Sequence, residues 1–397
     1  MIYLIVAFIL LLLCLRYDLF ERTKGRKECY LIVLVALILI AGLRWRVGGD
    51  TTRYLYSFYY DTPLLKDLTA DDLQIGNKPL WRILLSFVYT IGGKFFWVQI
   101  IESAFVNILI FKYIKKHCQY IFTCVFFYYI SLYILFNTEV MKAAFGIVVC
   151  LFANDYMLDR KWLKAYLLIV IGVLFHPQVI VFAFTPLFLS LRINKISILL
   201  LFLSYFVGYA IQISVGDYLD LLESMGDDAV GDKLASYGSN PSYIEERTLK
   251  WQIINSFPII IYSIVCVYLL KNRLSDKLLR LQPFFIMGLA YQIMSLKVYV
   301  FYRIADSYKI YILIFLAYTI VTITKDSRLL HKQVALFRTF LLFSPLVLSL
   351  LFNTMVRNRV KYYPYTSVFK REIIRKRELH VHNEPMIEYS CANKNQY

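Results

Sequence analysis

Met1–Leu15 reads MIYLIVAFILLLLCL, a run without one charged side chain. Similar runs recur as far as about Phe352, parted by short basic or polar breaks. A hydrocarbon core about 30 Å thick takes roughly 20 apolar residues at 1.5 Å of helix each. The chain is 59% hydrophobic and 18% charged, far more apolar than a soluble domain of amphipathic segments. These observations predict an all-α polytopic membrane protein.

The spans expected from apolar length are 1–15, 29–43, 95–111, 119–136, 141–158, 162–175, 177–191, 196–215, 251–270, 282–300, 308–324 and 335–352. That makes about 12 transmembrane helices, several short enough that their ends reach into flanking polar residues. The piece 80–91, after Lys78-Pro79, suits a re-entrant or interfacial helix better than a crossing. With no internal repeat or long linker, residues 1–356 read as a single transmembrane domain with an outer loop at 216–250, and 357–397 as a basic C-terminal tail. Met1–Leu15 has neither a basic leader nor an A-x-A-like cleavage site, so it reads as a retained helix.

Seven cysteines are an odd number, and Cys14, Cys124, Cys150 and Cys266 lie in or beside apolar runs, which argues against a disulfide framework. No C-x-x-C or H-x-x-x-H spacing offers a metal site, and neither a metal nor a cofactor is expected. A net charge of +17 would suit nucleic acid in a soluble protein. In a membrane protein it points to basic cytoplasmic loops and anionic lipid headgroups, so membrane lipids and not nucleic acid are the expected partners. Lys and Arg gather at every second break, as at Lys112–Lys116, Arg160–Lys164 and Arg192–Lys195, which marks the cytoplasmic side. The alternate breaks carry most of the acids and face outward. The basic residues beyond Phe352 resist that scheme, because twelve crossings from an outer N-terminus leave them outside.

The segment Gly42–Tyr54 ends an apolar run with Arg44 and Arg46, then turns at Gly48-Gly49 into Asp50 and Tyr54. Guanidinium forks suit phosphate oxygens, or the two arginines anchor the helix in the headgroup layer. His176 stands before Pro177, where a helix must break; it can act as a base, donate to an anionic oxygen, or cap the helix end. Asn137–Lys142 opens a span with an acid and a base, and Arg303 and Asp306 stand at i, i+3 spacing, where they can pair with each other. Tyr54 and its neighbours Tyr56, Phe58, Tyr59 and Tyr60 form an aromatic belt or a face for sugar rings. Asp71-Asp72 and Asp227-Asp228 are paired acids in polar loops, which solvation explains better than a metal site would. No G-x-x-x-x-G-K-[ST] or G-x-G-x-x-G is present, so nothing supports a nucleotide-driven reaction. By the charge rule, Arg44, Arg46, Asp50, Glu139, Lys142, His176, Arg303 and Asp306 all fall on the outer face.

The arrangement R-x-x-x-G-x-D-x-x-x-Y, formed by Arg44, Gly48, Asp50 and Tyr54, resembles the EpsG-like branch of the Wzy-type bacterial polysaccharide polymerases. That branch has an Arg opening a middle helix, where this chain has Lys142, which keeps the charge and loses the fork. The short loop Asp159–Lys161, the ending Leu174-Phe175-His176, the pair Tyr302-Arg303 with Tyr308, and Pro364-Tyr365 follow in the same order, over roughly residues 30 to 366. The resemblance implies polymerisation of undecaprenyl-diphosphate-linked oligosaccharide repeat units at the outer face of the bacterial cytoplasmic membrane. Its partners would be lipid-linked donor and acceptor and other polysaccharide-assembly proteins. Arg44, Arg46, Lys142 and Arg303 would then hold the diphosphate, His176 or Asp50 would serve as base, and Tyr54 would meet the sugar. A flippase of lipid-linked sugar and an outer-face glycan ligase are the rival readings. The flippase would spread its cations through a central cavity.

Overall fold

A computed structural model of the protein describes residues 2–225, 249–272, 274–298, 300–325, 344, 347, 359–372, 374 and 377. Among the described residues the chain is helical and has no strand; its one β-bridge joins Arg44 to Ser367. Two compact units emerge. The first is Met1–Phe184 with Leu350–Tyr397, and the second is Thr185–Ser349.

In the first unit α1 (Ile2–Leu13) loosens into π turns over Cys14–Leu19. It is followed by α2 (Arg26–Gly42), the short α3 (Thr51–Tyr60), α4 (Pro79–Thr90) and α5 (Phe95–His117). Helix α6 (Ile121–Tyr128) continues through π turns to Glu139, and α7 (Met141–Leu158) and α8 (Trp162–Phe175) form a hairpin. The hairpin closes at glycines. A Cβ on Gly146 would lie 2.7 Å from the Gly172 carbonyl oxygen, so only bare backbone permits that approach. Pro177, which has no N–H to give an α-helix, opens a 3-10 helix over Pro177–Phe188.

The second unit contains α9 (Lys195–Met225), α10 (Leu249–Lys271), α11 (Asp276–Met294) and α12 (Val300–Lys325), with α11 packed against α9 and α12.

Six described helices are long and apolar enough to cross a membrane: Ile2–Leu19, Phe95–His117, Ile121–Glu139, Met141–Leu158, Lys195–Gln212 and Val300–Lys325. Trp162–Phe175, Pro177–Phe188 and Asn255–Lys271 are apolar but shorter, and α2 and α11, at the expected spans 29–43 and 282–300, are not among the six, so the number falls short of the twelve expected. The expected span 335–352 and the loop 216–250 lie largely outside the described residues. Helix α4 has 12 residues, about 18 Å of rise, well short of the hydrocarbon thickness. Its Trp81, Leu85 and Val88 are buried in one cluster with Leu55, Phe58, Met141 and Phe145. That cluster carries the site on its surface.

Candidate functional site

The turn Leu43–Asp50 joins α2 to α3, and its shape follows from three residues. Gly48 has φ +112, and a Cβ there would come within 2.6 Å of the Thr138 Cβ. Arg46 has φ +51, a left-handed conformation that is unfavourable by about 1–2 kcal/mol for a residue with a side chain. The Arg46 carbonyl, turned by that φ, accepts a hydrogen bond from Arg377 Nη1 at 2.9 Å. Asp50 precedes α3, and its backbone carbonyl accepts from the Tyr54 amide at 3.0 Å.

The segment after the last apolar stretch lies along this turn instead of leaving it as a free tail. Trp45 N–H donates to Thr366 O at 2.8 Å, Val368 N–H to Leu43 O at 2.9 Å, and Gly48 N–H to Lys361 O at 3.0 Å. The Arg377 guanidinium, 1% exposed, also reaches Thr366 Oγ1 at 3.2 Å and the Pro364 carbonyl. Arg371 sits over the Trp45 ring at 5.6 Å.

Arg44 is buried, which rules out a side chain reaching into the headgroup layer. It donates to the Ala41 carbonyl at the end of α2 and, through Nη2, to Met141 Sδ at 3.2 Å. The fully buried Glu102 of α5 is the strongest charged neighbour acting on it. Arg44 and Arg46 line a cleft together with Lys94 and Arg371, and the rest of its wall is Gln99, Thr51, aromatic and aliphatic side chains. Four basic residues and no carboxylate thus line one narrow space with room for about one water, and Arg44 and Arg46 are almost wholly buried.

Across the turn stands Glu139, at the end of the π-helical stretch. Its Oε1 accepts from the Gly49 amide at 2.7 Å and from the Tyr362 hydroxyl at 2.9 Å, and its carbonyl accepts from the Tyr54 hydroxyl at 3.0 Å. Burial and the Glu139 charge hold the Tyr362 phenol well above its usual range, so at neutral pH it is a donor. Lys142, the second residue of α7, is half-buried over the rings of Tyr54 at 5.1 Å and Trp81 at 5.8 Å. Asp50 is the acid whose charge acts on it.

His176 ends α8 directly after Phe175, which stacks on Phe145 with centroids 4.7 Å apart. Its Nδ1 accepts the Gln178 amide at 3.2 Å. In a neutral imidazole that leaves the proton on Nε2, so the other ring nitrogen is a donor.

Six of the sequence candidates, Arg44, Arg46, Asp50, Tyr54, Lys142 and His176, thus belong to the first unit. Arg303 belongs to the second, exposed on α12. Asp306 pairs with Lys309, their charged atoms 3.2 Å apart and nearly buried, and the Arg303 charge also acts on Asp306. Among the described residues no group of three or more His, Cys, Asp or Glu could hold a metal ion. Asp72 is held by the Thr69 amide and hydroxyl and by Arg82 Nε at 3.0 Å, contacts that keep its carboxyl below the usual range. Lys361, Tyr362 and Arg377 were not among the candidates, because the basic run around them reads as a tail. The Pro364-Tyr365 pair beside them was the available signal.

Comparison with curated proteins and with solved structures finds no match. A family profile described as the EpsG family matches residues 27–367, a range that holds α2 to α12, the arginine turn and the Lys361–Ser367 segment laid along it. With six membrane-length apolar helices and that match over most of its length, the chain is a multi-pass membrane protein that belongs to the EpsG family, with a role in polysaccharide biosynthesis.

Proposed function

We propose that the chain polymerises oligosaccharide repeat units linked to undecaprenyl diphosphate, at the outer face of the bacterial cytoplasmic membrane. The growing glycan leaves its lipid diphosphate and joins the non-reducing end of an incoming lipid-linked unit. On this reading the shorter apolar helices also cross, giving about twelve spans.

The observation that supports the reading is the gathering of Arg44, Arg46, Lys94 and Arg371, without a carboxylate, around one narrow space that must widen to admit a diphosphate. A diphosphate leaving group gains negative charge as the glycosyl bond breaks, and fixed cations in a partly dry site stabilise that charge most where it develops. Lys142 adds a cation beside Asp50, and Tyr54 with Trp81 offers aromatic faces against which a sugar ring packs. Asp50 is a candidate base for the acceptor hydroxyl. His176, with its Nδ1 occupied, is better suited to donate from Nε2 to an anionic oxygen than to take a proton. Arg303 is a further diphosphate ligand on the family resemblance. EpsG membership supports the general class of reaction, and lipid-linked donor and acceptor, membrane lipids and other polysaccharide-assembly proteins are the partners it calls for.

The test is reconstitution of the purified chain in liposomes with a synthetic lipid-diphosphate-linked repeat unit. A ladder of products lengthening by one unit supports polymerisation. Transport across the bilayer without a ladder would make the protein a flippase, and transfer only to a lipid lacking diphosphate or to protein would make it a ligase.

A further inference from the structure

We infer that the turn Ser367–Glu372 is a strap over the arginine cleft, which lifts to admit a diphosphate and closes with Arg371 upon it; this rests on the cleft being the diphosphate site of the reading above. The space has room for about one water, far less than a diphosphate needs, so one wall must give. Arg44, Thr51, Leu55, Phe95 and Gln99 are almost wholly buried, fixed by α3, α5 and the packed turn before α3. Val368 and Arg371 come instead from the segment after the last apolar stretch and belong to no helix. Around them Phe369, Lys370, Arg371 and Glu372 are exposed, Phe369 to 83%.

The turn bonds chiefly to itself. The Lys370 and Arg371 amides donate to Ser367 O at 3.1 and 2.9 Å, Arg371 Nε donates to Val368 O at 3.2 Å, and Lys370 Nζ meets Glu372 at 2.9 Å. Among the described residues one hydrogen bond ties it to the wall, from Val368 N–H to Leu43 O at 2.9 Å. Val368 also packs on Trp45, and the Arg371 guanidinium lies over the Trp45 ring at 5.6 Å. Each of these is a small net contribution in water. The ends are held more firmly. Trp45 N–H donates to Thr366 O at 2.8 Å, and Arg377 Nη1 donates to Thr366 Oγ1 at 3.2 Å and to Arg46 O at 2.9 Å. The turn can therefore lift as a unit between fixed ends, like other compact loops whose ends are close. Arg371 has φ +47, unfavourable for a residue with a side chain, so the closed turn holds strain that lifting releases.

A diphosphate changes that balance. The Arg371 fork exchanges the Val368 carbonyl and the Trp45 ring for phosphate oxygens, a stronger charge-assisted contact. The occupied cleft thus favours the closed strap, and the empty one lets it lift.

The experiment uses the full-length protein in detergent, with Cys29→Ser and Cys391→Ser, and undecaprenyl diphosphate as the probe. Leu43 and Val368 face each other beside the antiparallel bridge of Arg44 and Ser367, a pairing whose reach suits a disulfide. Oxidising Leu43→Cys/Val368→Cys fastens the strap. Probe binding should then be about tenfold weaker or more than in the same protein reduced, because the competent fraction falls. Reductant should restore it. A complete cross-link, checked by mass, with unchanged affinity overturns the strap. If the pair fails to fold or to cross-link, Val368→Cys alone decides. Val368 is 9% exposed, so its thiol should react with a maleimide only when the strap lifts, and saturating probe should slow that reaction about tenfold. A thiol that stays unreactive without probe, or reacts as fast with it, overturns the proposal. Wild-type protein that binds the probe but builds no polymer ends the polymerase reading and leaves the strap standing. Wild-type protein that does not bind it overturns the cleft as a diphosphate site, and the strap with it.

Discussion

The Tyr362 hydroxyl meets Glu139 Oε1 at 2.9 Å across 223 residues of sequence. Two other contacts tighten the same closure: Gly48 N–H to Lys361 O at 3.0 Å and Arg377 Nη1 to Arg46 O at 2.9 Å. The end of the chain and the turn after α2 are therefore one structural piece, and the turn's left-handed Arg46 is held from outside itself.

Arg377→Ala should reveal that dependence. The buried guanidinium serves the Arg46 and Pro364 carbonyls and the Thr366 hydroxyl, and hydrogen bonds from a charged donor contribute roughly 1.5–3 kcal/mol each. The variant is expected to unfold at clearly lower temperature in detergent and to lose polymer formation. An unchanged melting profile would show the docked segment to be dispensable.

Gly48→Ala places a methyl group 2.6 Å from Thr138 Cβ at φ +112. Both the clash and the backbone conformation are unfavourable, and the expected loss of stability is more than about 1 kcal/mol. Thermal unfolding of the variant beside Gly76→Ala, where a Cβ meets nothing within 4 Å, separates the local effect from a general one.

Arg44 and Glu102 form a second testable pair. Both are buried, and neither carboxylate oxygen of Glu102 has a hydrogen-bond partner among the described residues. No hydrogen bond or ion pair joins them, so they act on each other through space, and removing a buried guanidinium that bonds Ala41 and Met141 typically costs about 1–3 kcal/mol. Arg44→Met is expected to be destabilised, and Arg44→Met with Glu102→Gln to recover part of that loss. Melting temperatures of the two single variants and the double variant make the measurement, and strict additivity would rule out coupling.

Much of this was legible from residues alone, and the reasons differ by element. The α7–α8 hairpin was expected at 141–158 and 162–175 and is found there, because apolar length and the basic break at Asp159–Lys161 both delimit it. The arginine turn was legible because Gly48-Gly49 after a long apolar run demands a turn. Glu139 stood out only as one charge among several, since its partners are 90 and 223 residues away. Tyr362 was invisible for the same reason: a tyrosine in a basic run has no local signature, and only its long-range contact gives it a role. The burial of Arg44 was not legible, because it depends on α5 and α7, which periodicity cannot place against it.

Sidedness can be measured directly. The Lys and Arg pattern puts residues 61–78 outside and 159–164 inside. Ala70 and Lys161 are both exposed, so a cysteine at either can react when reagent reaches it. Cys29 is the one half-buried thiol among the described residues, and replacing it together with Cys391 gives a quiet background. Ala70→Cys should label with an impermeant maleimide in intact cells, and Lys161→Cys only after the membrane is opened. The reverse pattern would put the arginine turn on the cytoplasmic side and remove the basis for an outer-face reaction.

His176 offers the sharpest separation of roles. Its Nδ1 accepts the Gln178 amide at 3.2 Å where α8 gives way to the 3-10 helix, which leaves Nε2 as a donor. Asparagine and glutamine each reproduce one end of the ring. The shorter amide of His176→Asn places an oxygen near Nδ1 and keeps the cap, but reaches no farther. The longer amide of His176→Gln places an N–H near Nε2 and keeps the distal donor, but gives up the cap geometry. If Nε2 donates to the lipid diphosphate, His176→Asn should weaken donor binding about tenfold with an unchanged melting temperature, and His176→Gln should bind nearly normally. If the ring is only a cap, the order reverses: Asn keeps both stability and binding, and Gln loses stability. If the ring were the base, both variants would lose kcat about 10²–10⁴-fold with donor affinity intact. Donor affinity, kcat and melting temperature of the two proteins, measured in one detergent, distinguish the three; the expected result is the first, and wild-type donor affinity in His176→Asn would refute it.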